Sequence, residues 1–177
     1  VGRNPPNAPG ESALFAASGT YTVTQNLGPL TLEGTLSPGI SSIDTMAIGA
    51  AATTITYTPT STLDIDLGSL TSLDRITSGS HTINGGTLQV SLVNGYTPAP
   101  FDAHVVIDGT AGSVVAGAFD SIVGPALTPP YVWKVSYTGQ DVVVGVSCDA
   151  DYNSDLGIDV LDLLDFLDFL NLFANGC

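Results

Sequence analysis

The sequence predicts a mainly β chain wound into stacked coils, and three observations carry that prediction. The first is a unit written twice between Ser42 and Gly95. Ser42-Ile43-Asp44-Thr45-Met46-Ala47-Ile48-Gly49 is answered thirty residues later by Ser72-Leu73-Asp74-Arg75-Ile76-Thr77-Ser78-Gly79. Thr62-Leu63-Asp64-Ile65-Asp66-Leu67 is answered by Thr87-Leu88-Gln89-Val90-Ser91-Leu92, and Thr54-Ile55-Thr56-Tyr57 and His81-Thr82-Ile83-Asn84 hold the same place between them. A repeat of about 20 to 50 residues built of strands and turns cannot bury its apolar face alone, so neighbouring copies must cover one another. The second is composition: 44% of residues are hydrophobic and only 11% charged, which leaves Thr, Ser, Asn and Gly to make the polar surface, as in extracellular β-proteins. The third is that helical periodicity is confined to the stretch after Cys148. A β-sandwich with two similar halves is the competing architecture.

Asn4-Pro5-Pro6-Asn7-Ala8-Pro9-Gly10 lacks several amide donors and reads as an extended strap in front of the body. Period-two alternation predicts strands near 20–25, 30–36, 53–58, 62–67 and 87–92. Leu63, Ile65, Leu67, Leu88, Val90 and Leu92 are expected to point inward and stack copy on copy. Tyr96 to Pro100 reads as a loop, His104 to Ile107 as a buried strand, and small residues dominate from there to Gly124. Strands near 132–137 and 141–146 flank Thr138-Gly139-Gln140, a hairpin signal with glycine available for a positive φ. This hairpin is expected to be the last layer of a body spanning 1–147, followed by a module at 148–177.

Seventeen acids face only Arg3, Arg75 and Lys134, for a formal net charge of -14. Such a chain repels nucleic acid and anionic membrane and favours cations. No apolar run approaches the roughly 18 residues of a membrane span, and no basic, apolar leader opens the chain, so a secreted form is expected to have lost its signal.

The C-terminal module carries the densest chemistry. Asp151, Asn153, Asp155, Asp159 and Asp162 take positions 1, 3, 5, 9 and 12 of a twelve-residue loop. Oxygen donors at that spacing, with the Gly157 carbonyl at position 7, are what calcium requires. Acids at a helix start account for Asp159 and Asp162 but not for the Asp-x-Asn-x-Asp opening. The loop pattern places glycine at position 6, where this chain has Leu156. Cys148 and Cys177, the only cysteines, bracket the module; they either close a disulfide or remain free thiols. From Asp159 to Phe173 the chain reads as one helix. Val160, Leu163, Leu167 and Leu170 form one apolar face, and Leu161, Leu164, Phe169, Leu172 and Phe173 crowd others, so an interface with a second body is expected there.

Asp151 to Phe169 resembles one half of a type I dockerin, and the Cys148 and Gly176-Cys177 frame resembles dockerin-like tails of secreted planctomycete-type bacterial proteins. The body resembles autotransporter-associated β-strand repeat proteins through Pro6-Asn7-Ala8-Pro9-Gly10, Gly34-Thr35-Leu36-Ser37-Pro38-Gly39, Ser61 to Leu67, and Val93-Asn94-Gly95-Tyr96-Thr97-Pro98. The resemblance implies a right-handed parallel β-solenoid, secreted or at the cell surface, serving structure or adhesion.

Three functions compete. A self-associating subunit of a fibre or surface layer, stabilised by calcium and without enzymatic activity, is the principal expectation. A calcium-dependent docking protein that meets a cohesin-like receptor, with the body as spacer or carbohydrate-binding cargo, is the alternative, and its single loop copy counts against it. A polysaccharide-active β-helix enzyme comes third: Arg75, Lys134, His81 and His104 are its candidate bases and Asp64 and Asp66 its paired carboxylates, but no spacing groups them.

Overall fold

In the computed structural model, residues 14–16, 21–23, 29–39, 42–48, 54–148, 151, 153–156, 162, 163, 166, 167 and 170 are described. The strands follow one another in circuits of three. The first circuit is β1 (Leu14–Ala16), β2 (Tyr21–Val23) and β3 (Leu30–Leu32); the second is β4 (Thr35–Ser37), β5 (Thr45–Ile48) and β6 (Thr54–Tyr57). The third is β7 (Thr62–Leu67), β8 (Arg75–Ser78) and β9 (Ser80–Asn84), and the fourth β10 (Thr87–Leu92), β11 (Ala103–Gly109) and β12 (Val115–Ala118). Last come β13 (Ser121–Val123), β14 (Tyr131–Tyr137) and β15 (Val142–Cys148). The members of each circuit fall in three different sheets, ordered β1-β4-β7-β10-β13, β14-β15-β11-β8-β5-β2 and β12-β9-β6-β3.

Like positions lie over like positions. Leu36, Leu63, Leu88 and Ile122 form one column of partners in the first sheet, and Met46, Ile76, Ile107, Val142 and Tyr137 another in the second. Leu36, Leu63, Leu88, Met46, Ile76 and Ile107 are fully buried. On the outer face Thr35, Thr62, Thr87 and Ser121 stack in the same way, and the Thr87 and Ser121 hydroxyls bond at 3.1 Å. Period-two side chains therefore send leucine and isoleucine inward and threonine outward at every level. Asp64 and Asp66 accordingly sit half-buried on the outer face of β7, opposite buried Leu63, Ile65 and Leu67.

Corners are tied from one circuit to the next. Asp74, almost fully buried, accepts the Asp44 N–H (2.8 Å) with one carboxylate oxygen and the Asp66 N–H (3.0 Å) with the other. Burial pushes its carboxyl up to about 6, against the pull of those two bonds.

Three expectations need correction. Residues 30–36 are not one strand: β3 and β4 belong to different sheets and turn at Glu33-Gly34, where the Gly34 carbonyl takes the Thr62 N–H at 3.0 Å. Leu30, Leu32 and Leu36 keep even spacing across that corner, so alternation alone does not reveal it. Thr54 pairs with Ser80 rather than His81, a shift of one residue that turns His81 inward opposite Ile55. Leu92 is half-buried, because β13 covers β10 only at Thr87 to Gln89 and leaves Leu92 without an upper neighbour. The small-residue stretch before Gly124, for which the sequence suggests no element, holds two strands, β12 and β13.

The hairpin is the last layer, as expected, with Gly139 at φ 88° in its turn. β15 runs antiparallel to β11 and β14 antiparallel to β15, so β14 regains the direction of β11. Val142, Val144 and Val146 face the core beside Trp133, Val135 and Tyr137, which are paired with them in register.

Candidate metal centre

The acidic loop starts where β15 ends and lies on the outer face of the hairpin. The Asp151 N–H donates to the Cys148 carbonyl (3.0 Å), which turns the chain back over the sheet. Lys134 on β14, the only lysine in the chain, then donates from Nζ to the Asp151 carbonyl at 3.0 Å.

The Asp151 side chain is wholly buried. Its Oδ2 accepts the Leu156 N–H at 3.2 Å, and its Oδ1 is buried without a hydrogen-bond partner among the described residues. Asn153 Oδ1 accepts the Asp155 N–H (3.0 Å), and Asn153 Nδ2 donates to Asp155 Oδ2 (3.0 Å). The Asn153 N–H reaches Asp162 Oδ1 at 3.5 Å, so position 3 of the loop is tied to position 12. Asp162 is itself buried and helical, with 3% exposure.

Leu156 takes the left-handed conformation itself, at φ 70°. For a residue with a Cβ this costs about 1–2 kcal/mol, which explains the usual glycine at that position. The side chain offsets the cost by packing on β15 at Gly145, where an added Cβ would meet Leu156 Cδ1 at 2.8 Å. Gly145 is the register partner of Lys134. Among the described residues, the Lys134 hydrogen bond and the Leu156 packing contact between loop and body therefore meet on one cross-strand pair.

The structure brings Asp151, Asn153, Asp155 and Asp162 into one hydrogen-bonded turn. Gly157 and Asp159 lie outside the described residues. All the candidate donors are oxygens, as calcium prefers, and a buried carboxylate oxygen without a partner is a group that a cation would satisfy. Among the described residues, however, no three of Asp, Glu, His and Cys close on a common point. The fit to calcium therefore rests on donor chemistry and on Asp151. Cys148 is half-buried at the end of β15 and joins no disulfide among the described residues; Cys177, and with it the expected pairing, lies outside them.

Of the helix, Asp162, Leu163, Phe166, Leu167 and Leu170 are described as helical. Leu163, Phe166, Leu167 and Leu170 are exposed by 54, 40, 49 and 41%. Their spacing, i, i+3, i+4 and i+7, puts them on one face. The expected interface residues Leu161, Leu164, Phe169, Leu172 and Phe173 lie outside the described residues, as does Val160.

The remaining chemical candidates are scattered. His81 and His104 are both about 1% exposed inside the body, and burial lowers the His81 imidazole to about 4. Arg75 pairs with Asp108 at 3.3 Å on the surface. A cleft of about 420 Å3 between Ile122 and Trp133, and a smaller one that includes Pro98, Pro100 and Leu127, are lined without any carboxylate, histidine or lysine. Sequence reasoning missed Lys134 and Gly145 as partners of the loop. The available signal was Leu156 itself, a bulky residue where the loop pattern wants none.

No protein-family model matches the chain, and no curated protein matches it.

Proposed function

We propose that the chain is a non-enzymatic structural or adhesive component of the extracellular space or cell surface, a right-handed β-solenoid that self-associates and holds calcium in its C-terminal loop. The observation that carries this reading is the exposed stripe Leu163, Phe166, Leu167 and Leu170 beside a body whose sheets end in edge strands. Burying such side chains against a neighbour stabilises by roughly 1 kcal/mol or more each. Edge strands supply unpaired backbone groups for a second copy, and head-to-tail contacts of this kind propagate rather than close. Calcium would be held by Asp151, Asn153, Asp155, the Gly157 carbonyl, Asp159 and Asp162, and it would offset part of a net charge of -14 that otherwise keeps copies apart.

Sedimentation velocity in calcium and in chelator tests the proposal. Concentration-dependent growth in calcium, abolished by Leu167→Asp in a protein that keeps its β spectrum, is expected. A plain monomer at high concentration with calcium present defeats self-association. The same exposed stripe then favours the second reading, docking to a cohesin-like receptor.

A further inference from the structure

The acidic loop is expected, from its likeness to a docking module, to serve an external partner. The contacts point inward instead. Lys134 donates to the carbonyl of the first loop residue, and the same Asp151 takes the Leu156 N–H on its carboxylate. Leu156, left-handed in backbone, rests its side chain on Gly145 of β15. Both contacts land on the Lys134–Gly145 pair in the middle of the terminal hairpin. Both also depend on how Asp151 is held, since one uses its carbonyl and the other is positioned through its carboxylate.

We propose that the loop is a clasp on the terminal hairpin: cation binding at Asp151 is transmitted through Leu156 and Lys134 to the last two strands of the body, and Leu156 is the positioning residue that couples them. This rests on the reading of the loop as a calcium site. A glycine at position 156 would leave a working loop without its leg on the sheet. Leucine accepts an unfavourable backbone conformation and gains the contact with the body. Coupling is reciprocal, so whatever the cation adds to the hairpin, an intact hairpin adds to cation affinity. Typical couplings between linked sites are about 5- to 150-fold, and two contacts on one residue pair place this one toward the lower end, roughly tenfold.

The test uses the full chain with calcium chloride and a chelator, reading calcium affinity by calorimetry and amide hydrogen exchange along β14 and β15. Calcium is expected to slow exchange at Val144 to Val146 roughly tenfold in the wild type. Leu156→Gly should still bind calcium while passing on little or none of that protection. Lys134→Met, which keeps the aliphatic stem and leaves the loop sequence untouched, should weaken the protection in the same direction and serves if the glycine variant does not fold. Calcium binding with unchanged hairpin exchange in the wild type would overturn the clasp and leave the calcium site standing. Absence of calcium binding by the wild type at millimolar concentration would overturn the calcium reading itself, and the clasp with it. Undiminished protection in both variants would remove Leu156 and Lys134 as the coupling residues and refute the proposal.

Discussion

Replacing Asp151 with Asn should reverse the order of stability between wild type and variant according to calcium. The side chain is wholly buried, with one oxygen on the Leu156 N–H and the other without a partner among the described residues. Asparagine keeps an acceptor for that N–H and removes the buried charge. A buried polar group left unsatisfied costs about 1–3 kcal/mol and a charged one more; the amide Nδ2 stays buried in place of the charged oxygen, so the variant gains only the difference and in chelator should be the more stable by something like 1.5 kcal/mol. Calcium adds RT ln(1 + [Ca]/Kd) to the wild type, about 2.7 kcal/mol at a hundred times Kd, and little to a variant that lacks the central carboxylate. The two stabilities should cross at about twelve times Kd, where that gain reaches 1.5 kcal/mol. Urea unfolding of both proteins across a calcium titration measures it. The same ordering at every calcium concentration would show that Asp151 is an ordinary buried acid and would refute the reasoning.

Leu88→Ala, at a fully buried position between Leu63 and Ile122 in the leucine column, should cost about 2–5 kcal/mol in urea denaturation; a loss under about 1 kcal/mol would mean that the stacked core is loose there. Tyr57→Phe should stabilise the protein by about 1 kcal/mol, because the buried phenol oxygen has no partner among the described residues while the ring keeps its stacking on His81 and its edge contact with Phe119; thermal melts showing clear destabilisation would contradict this. His81, lowered to about 4 by burial, takes up its proton in the unfolded chain first, so its contribution is lost as pH falls from about 6.5 toward 4. Asp74, raised to about 6, holds its proton in the folded chain after the unfolded chain has released it, so its contribution is lost as pH rises from 3.8 through 6. Asp74→Asn removes the opposing titration. Its urea midpoint should therefore fall more steeply below pH 6.5 than that of the wild type, and parallel profiles would refute the assignment.

The stacking was legible where two copies share a pattern long enough to align. Thr45 over Arg75, Met46 over Ile76 and Leu63 over Leu88 are the pairs that the doubled unit implies. Legibility failed where strands are three or four residues long, because so short a run shows alternation without showing a corner, as at Glu33-Gly34. It failed again at β12, where Val115-Ala116-Gly117-Ala118 pairs with β9 through its backbone and carries too little side chain to announce a face. At the candidate centre the donor residues follow from spacing. Their attachment to the body does not, because the Lys134–Gly145 pair that receives the loop is set by hairpin register, which period-two patterning leaves free to slide.

The hairpin also decides how far each sheet reaches. Every sheet begins in the first circuit, but the second continues two strands beyond β11 and the first one strand beyond β10, while the third stops at β12. At about 4.8 Å per strand, the β14 edge stands roughly 10 Å proud of the β12 edge and 5 Å proud of β13. A second copy presenting the single circuit β1, β2 and β3 would meet β14 before it could touch either neighbour. Because β14 shares the direction of β2, that one ladder would form with matched polarity. The joint would then be a hinge on a single seam, and a chain of such links would flex between stiff rods rather than bend as one continuous beam.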